Sequence, residues 1–231
     1  MNIGGFQKTS LIDYPGNISS IIWTVGCNFR CPFCYNKNVV LGTVESIPEK
    51  EIFDHLAKRQ GLIDGVVITG GEPFLQKDIV PFLQKIKEYN YLIKLDTNGT
   101  FPQKLEELLE KNLVDYISMD VKAPKQKYAT LSGVKTNMKD IESSIKLLQT
   151  QAPDYEFRTT IVPDLLTKQD IVAIAQWLRG SKAFYLQQFK SNVPLISSAI
   201  EHKEPYPKEY LLEILNEISP FFDICGLRGV D

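Results

Sequence analysis

Gly65-Val66-Val67-Ile68-Thr69-Gly70-Gly71-Glu72-Pro73 is a β-branched apolar run that stops on two glycines, and Ile79, Phe82, Leu83 and Ile86 follow it at helical spacing. The run reads as a buried strand and the later set as one face of a helix. Strand, turn and helix make one βα unit, and the unit recurs on both sides. Strands are predicted at 18–25, 65–69, 91–96, 116–121, 156–162 and 183–189, with a seventh candidate at 221–225. Between them lie further helical faces, such as Ile52, Phe53 and Leu56, then Leu105, Leu108 and Leu109, then Ile141, Ile145 and Leu148. Ser46 with Glu49 fits a capping box, Thr167 with Asp170 fits a helix start, and Gly61 and Gly180 sit where helices end.

Such alternation builds a parallel sheet with helices outside it. About six units fit either an open doubly wound sheet or a partly closed barrel. The expectation is an α/β fold, a partial (βα)6 TIM-like barrel in a single domain over 1–231. Residues 1–17 form a leading segment, and 190–231 hold a loop, a helix and a tail; the stretch 190–207 is a loop long enough to cover a site.

Composition narrows the function. The 26 Lys and Arg nearly balance 28 Asp and Glu, leaving a formal charge of −2. No broad basic field exists for nucleic acid or anionic membrane. No stretch approaches the roughly 18 apolar residues of a spanning helix, and the start has no basic-then-apolar leader, so the chain reads as cytoplasmic. Four cysteines are too few for a disulfide scaffold, and Cys27, Cys31 and Cys34 crowd together. Cys225, apart from them, reads as a small buried hydrophobe.

The crowded three follow directly on the first predicted strand, in Gly26-Cys27-Asn28-Phe29-Arg30-Cys31-Pro32-Phe33-Cys34-Tyr35-Asn36. This spacing lets one tight loop wrap three thiolates around a small iron–sulfur cluster. Three ligands for four irons leave one iron open for catalysis. A zinc site remains the alternative, with Cys225, His55 or His202 as fourth ligand, although zinc ribbons normally show two Cys-x-x-Cys pairs. Later strands add polar groups. Lys94 and Asp96 share one strand face, as do Ser118, Asp120 and Lys122. If these strands are neighbours the two aspartates converge, and a cation, Lys122 or a ligand ammonium must sit between them.

Cys27-x-x-x-Cys31-x-x-Cys34, with Phe33 before the third cysteine, resembles the signature of the radical S-adenosylmethionine superfamily. The resemblance implies a [4Fe–4S] cluster on these cysteines, whose open iron chelates the methionyl amino and carboxylate groups of S-adenosylmethionine. An electron then splits the sulfonium into methionine and a 5′-deoxyadenosyl radical. Gly70-Gly71-Glu72 resembles the superfamily's motif for the methionine amino group, Glu72 adding an acceptor. Asp96-Thr97-Asn98-Gly99 and Asp120-x-Lys122 are similar to segments of the activating enzymes of glycyl radical enzymes, where they surround the cofactor's carboxylate and ribose. Arg158 matches an arginine of those enzymes. The resemblance adds Phe33 and Tyr35 to the cofactor site, and a monovalent cation is a further candidate near Asp96 and Asp120.

The segment Ser10-Leu11-Ile12-Asp13-Tyr14-Pro15-Gly16 resembles the stretch with which these activases meet their protein substrate, implying partner contacts at Asp13, Tyr14, Pro15 and Gly16; otherwise it is an entry turn. Tyr14 departs from the pyruvate formate-lyase activating branch, which carries a glycine there, and Cys34-Tyr35-Asn36 departs from the common Cys-His-Asn ending. The resemblance is nearer to activating proteins of anaerobic ribonucleoside-triphosphate reductase. It implies a glycyl radical enzyme as partner and, since the chain carries no second cysteine cluster, flavodoxin or ferredoxin as electron donor. The competing readings are an activase of another glycyl radical enzyme, of the pyruvate formate-lyase type, a radical enzyme acting on a small molecule, and a non-enzymatic iron–sulfur or zinc-binding module.

Overall fold

The structure is a computed structural model and describes residues 1–230. Eight strands form one sheet in sequence order: β1 (Ile3–Tyr14), β2 (Asn17–Thr24), β3 (Gly65–Gly70), β4 (Leu92–Thr97), β5 (Tyr116–Asp120), β6 (Tyr155–Ile161), β7 (Ala183–Gln188) and β8 (Ile224–Arg228). β1 runs antiparallel to β2, and every later pair is parallel. β1 and β8 end the sheet without pairing with each other, so the barrel is partial and open along one flank.

The helices are α1 (Lys37–Leu41), α2 (Glu49–Arg59), α3 (Ile79–Lys87), α4 (Pro102–Glu110), α5 (Tyr128–Ser132), α6 (Met138–Gln151), α7 (Lys168–Trp177) and α8 (Lys208–Ile218). Their apolar stripes bury the outer face of the sheet, where Ile22, Ile68, Leu95, Ile117, Phe157 and Leu186 are wholly enclosed in one continuous core. That burial is the main force holding the fold. The alternate residues face inward. Tyr14, Ile21, Val67 and Tyr116 form a small apolar cluster there, and charged side chains occupy the lumen nearer the strands' carboxyl ends.

Two expectations on the sheet change. The seventh parallel strand starts at Ile224, because Ser219–Phe221 forms a 3-10 turn before it. The leading segment is itself a strand. Its alternation is hidden by Gly4 and Gly5, by exposed Gln7, Lys8 and Thr9, and by breaks in register on either side of Ser10. Pro15-Gly16 makes the two-residue hairpin link, with Gly16 at φ 74°. Tyr14 therefore does not face a partner. It is buried against Tyr116, ring centroids 5.9 Å apart, and against Gly65 at the start of β3.

The helix start read at Thr167 and Asp170 forms, and the pair closes a full capping box. The capping box read at Ser46 and Glu49 does not form, because α2 begins after Pro48, whose fixed φ of −63° sets the entry and whose side chain cannot cap.

One buried pair ties the last strand to the rest. Glu156 on β6 is fully buried and accepts from Tyr116 Oη at 2.8 Å, Ser118 Oγ at 2.7 Å, and Arg228 Nη1 and Nη2 at 2.5 and 2.7 Å. Burial alone would raise its pKa, but Arg228 and Arg158 outweigh burial and hold it below the usual carboxylate value. Arg228→Ala removes two of the four donors to this carboxylate, leaving Tyr116, Ser118 and the nearby Arg158, and should cost about 1.5–3 kcal/mol in urea unfolding at pH 7. The wild-type advantage belongs to the charged carboxylate. It should be complete above the unfolded pKa of about 4.3 and shrink as pH falls below it. An equal difference at pH 7 and pH 3 would show that the pair is not the cause.

Candidate functional site

The cysteine loop leaves β2 over the carboxyl end of the sheet, and contacts from every side fix it there. Gly71 N–H donates to Thr24 O at 2.9 Å and Glu72 N–H to Gly26 O at 2.8 Å. A Cβ on Gly71 would lie 1.8 Å from Gly26 O, and one on Gly70 2.4 Å from Thr24 N. The two glycines thus serve the close approach of this loop to β3. Across the loop, Arg30 N–H donates to Ser132 O at 2.8 Å after α5. The stretch 190–207 docks from a third side, Ile196 N–H on Cys34 O at 3.1 Å and Ser197 N–H on Pro32 O at 3.0 Å.

Cys27, Cys31 and Cys34 border one cavity of about 720 Å³. Burial pushes the Cys27 thiol up to about 11 and Cys31 up to about 12, and raises Cys34 as well. Thiols held so are poor free nucleophiles; as cluster ligands they would lose their protons to the metal. No three Cys, His, Asp or Glu side chains among the described residues gather around a point where one metal ion could sit. The proposed fourth zinc ligands also stand elsewhere. His55 packs on Phe6, His202 meets Asn192, and Cys225 lies on β8. Three thiols on one loop, all bordering one cavity and, among the described residues, without a fourth Cys or His beside them, suit a cluster held by three protein ligands.

The same cavity is lined by a chain of charges. Asp120 and Arg158 face each other in register on β5 and β6. Arg158 Nε donates to Asp120 at 2.9 Å and Nη1 to Asp96 at 3.3 Å. Lys122 Nζ meets Asp120 at 3.0 Å, and buried Lys94 meets Asp96. The two aspartates converge as the strand order requires, and the cation between them is the Arg158 guanidinium. Burial would raise both carboxyl groups; Arg158 with Lys122 at Asp120, and Arg158 with Lys94 at Asp96, hold them well below the ordinary range. Lys122 stays charged despite burial, through Asp120, and sits 5.9 Å over the Phe33 ring.

Of the residues read from sequence, Cys27, Cys31, Phe33, Cys34, Tyr35, Gly70, Gly71, Asp96, Thr97, Asn98, Asp120, Lys122, Arg158 and Asp13 all line this cavity. Glu72 does not. Its fully buried carboxylate accepts from Phe74 N at 3.2 Å, Thr97 Oγ1 at 2.9 Å and Asn98 N at 2.7 Å. Burial raises it to about 7 against those bonds. It braces the turn after β4, both carboxylate oxygens being occupied by these donors. Pro15 and Gly16 are exposed at the far end of the sheet, beside the amino ends of the parallel strands. Trp23, Thr69, Thr160, Gln187 and Arg228 line the cavity too. Period-two alternation along the predicted strands places Trp23, Thr69, Thr160 and Gln187 inward, while Arg228 lies beyond the predicted end of its strand.

This cavity, with three thiols at one edge and a chain of three cations and two carboxylates at the other, stands at the carboxyl ends of parallel strands, where barrel folds carry their chemistry. Residues 21–178 match the family model described as the radical SAM superfamily, and the chain belongs to that superfamily. Within it the chain groups with the glycyl-radical enzyme activating enzymes. A Methanocaldococcus jannaschii protein named for that class is 34% identical over 99% of this chain and 96% of its own length. The pyruvate formate-lyase-activating enzyme of Listeria monocytogenes is 31% identical over 50% of this chain and 51% of its own. Among solved structures, Streptococcus suis SuiB bound to its precursor peptide has a TM-score of 0.69 at 15% identity, covering 89% of this chain and 47% of that one. A domain of a pyruvate-formate lyase-activating enzyme from Bacteroides vulgatus has a TM-score of 0.56 at 14% identity, covering 72% and 99%. At such identities these two speak for the fold. A superfamily member of this kind is an enzyme that uses a [4Fe–4S] cluster and S-adenosylmethionine, and the thiols described above suit that cluster. No helix among the described residues is long and apolar enough to cross a membrane.

Glu72→Gln replaces an acceptor by an amide that faces backbone donors. It should lower unfolding stability by about 1–3 kcal/mol, read by urea titration, and leave the affinity for S-adenosylmethionine of the folded protein unchanged. A variant of wild-type stability with weakened cofactor binding would restore Glu72 to the cofactor site.

Proposed function

We propose that this chain cleaves S-adenosylmethionine reductively and uses the radical to abstract a hydrogen from a backbone glycine of a partner enzyme, anaerobic ribonucleoside-triphosphate reductase. The observation that carries the reading is the meeting of Cys27, Cys31 and Cys34 with the Asp96–Arg158–Asp120–Lys122 chain in one open cavity. A [4Fe–4S] cluster on the three cysteines supplies, when bound, the electron that splits the cofactor's sulfonium.

The chain's own residues do the rest. Lys122 and Arg158 remain cationic at the wall and offer donors to the cofactor's carboxylate, the guanidinium with the planar fork suited to that group. Asp96 and Asp120 hold both in place. Phe33 and Tyr35 flank the cysteines with aromatic surface. Below them Ile21 and Val67 give the lumen an apolar floor, which keeps water from the radical's path.

Hydrogen transfer needs near contact between the two atoms, so the partner's glycine must enter the lumen. No strand pairing closes the flank between β1 and β8, and in this reading the partner's loop enters there. Asp13, Lys190, Pro205 and Gly229 border the cavity there. Asp13 and the 190–207 loop are the partner-facing parts in this reading, with Leu11 and Ile12, both strongly exposed beside Asp13. The electron comes from flavodoxin or ferredoxin. The Listeria relative supports a second reading, in which the partner is an enzyme of the pyruvate formate-lyase type.

Incubation of the reduced, reconstituted protein with S-adenosylmethionine and the reductase should produce a glycyl radical signal on the reductase by electron paramagnetic resonance. A signal only with a pyruvate formate-lyase type enzyme would replace the partner. No signal with either, together with deoxyadenosine formation stimulated by a small molecule alone, would overturn the activase reading.

A further inference from the structure

Asn98 was read from sequence as a cofactor contact, yet its amide is turned toward the cysteine loop. Asn98 Nδ2 donates to Asn28 Oδ1 at 2.8 Å, Asn28 Nδ2 donates to Thr100 Oγ1 at 2.8 Å, and Thr100 Oγ1 donates back to Asn98 Oδ1 at 2.7 Å. The three side chains close a ring in which every donor points the same way round. Thr100 N–H also donates to Asn98 Oδ1 at 3.1 Å. With two donors on its oxygen, the Asn98 amide can take only one orientation.

That orientation leaves one N–H of Nδ2 unused by the ring, and it faces Cys27 Sγ at 4.0 Å. The backbone N–H of Phe29 reaches the same sulfur at 3.3 Å. The brace behind Asn98 is rigid. Glu72 holds its backbone N–H, Gly99 N–H donates to Thr97 Oγ1 at 3.1 Å, and Ser144 Oγ donates to Gly99 O at 2.8 Å. Asn98 is itself only 5% exposed, so no bulk water replaces its donor.

We propose that Asn98 is a positioning residue that directs an amide N–H at the Cys27 sulfur and thereby raises the reduction potential of the cluster. The inference rests on the reading that Cys27, Cys31 and Cys34 hold a [4Fe–4S] cluster. A hydrogen bond to a ligand sulfur stabilises the negative charge that the cluster gains with one electron, and such bonds are among the determinants of cluster potential. The ring keeps this donor aimed without help from the cofactor.

The test is a redox titration of the reconstituted protein with dithionite, followed by electron paramagnetic resonance, with iron counted per chain. Asn98→Ala should lower the midpoint. At the wild-type midpoint the ratio of reduced to oxidised cluster should fall about three- to tenfold, tenfold being about 59 mV for one electron. Thr100→Val breaks the ring while leaving the amide and should shift the midpoint the same way by less. A purely structural role would move stability or iron content and leave the potential where it was. Asn98→Ala with full iron and an unchanged or raised midpoint overturns the inference. If that variant loses its cluster, Thr100→Val decides alone, a lowered midpoint supporting the inference and an unchanged one overturning it. A wild-type protein with no reducible [4Fe–4S] signal overturns the underlying reading and the inference with it.

Discussion

Arg158 is shared by two buried carboxylates, and the inner face of the barrel is organised around that sharing. Asp96 and Asp120 come from adjacent strands and project into the cavity, each largely but not wholly withdrawn from solvent. Two such charges are tolerated only with a cation between them. Arg158 supplies it from the next strand, in register with Asp120. Lys94 and Lys122 cap the two ends of the chain, and Glu156 approaches Arg158 from below at 4.0 Å while Arg228 satisfies it. The polar lumen is thus nearly neutral in its pairs, yet Lys122 and Arg158 still face the cavity. Such a network suits a site that must receive a zwitterionic cofactor without rearranging.

A second constraint acts on the opposite wall. The cysteine loop lies across β3 only because Gly70 and Gly71 carry no side chain where Thr24 and Gly26 pass. Gly133 plays the same part after α5, where a Cβ would fall 2.1 Å from Arg30 O. The loop is therefore clamped by backbone on two sides before any cofactor is considered. This order of construction puts thiols and charges around one cavity, beside a flank that no pairing of β1 with β8 closes.

Much of this was legible in the sequence because its signals are local. The parallel strands announce themselves by β-branched runs between helical faces, and the thiols, Asp96, Asp120 and Arg158 lie at strand ends that period-two alternation can orient. What stayed hidden depends on contacts distant in sequence. Glu72 resembles a ligand acceptor until Thr97 and Asn98, on the next strand, are seen to occupy its carboxylate. Tyr14 resembles a surface residue until the curvature of the sheet brings Tyr116 over it. β1 is an edge strand with exposed polar residues and irregular register, so no buried face writes a pattern into it. Asn98 lines the cavity as read, but only the ring with Asn28 and Thr100 shows which way its amide turns.

The central claim is that the three thiols and the ionic chain form one cofactor-cleaving site. Its most direct test is anaerobic reconstitution with iron and sulfide, reduction with dithionite, and chromatography of the products formed from S-adenosylmethionine. Methionine and 5′-deoxyadenosine should appear in equal amounts with the wild-type protein, and neither should form with Cys31→Ala. A protein carrying a full [4Fe–4S] cluster that yields neither product would contradict the account.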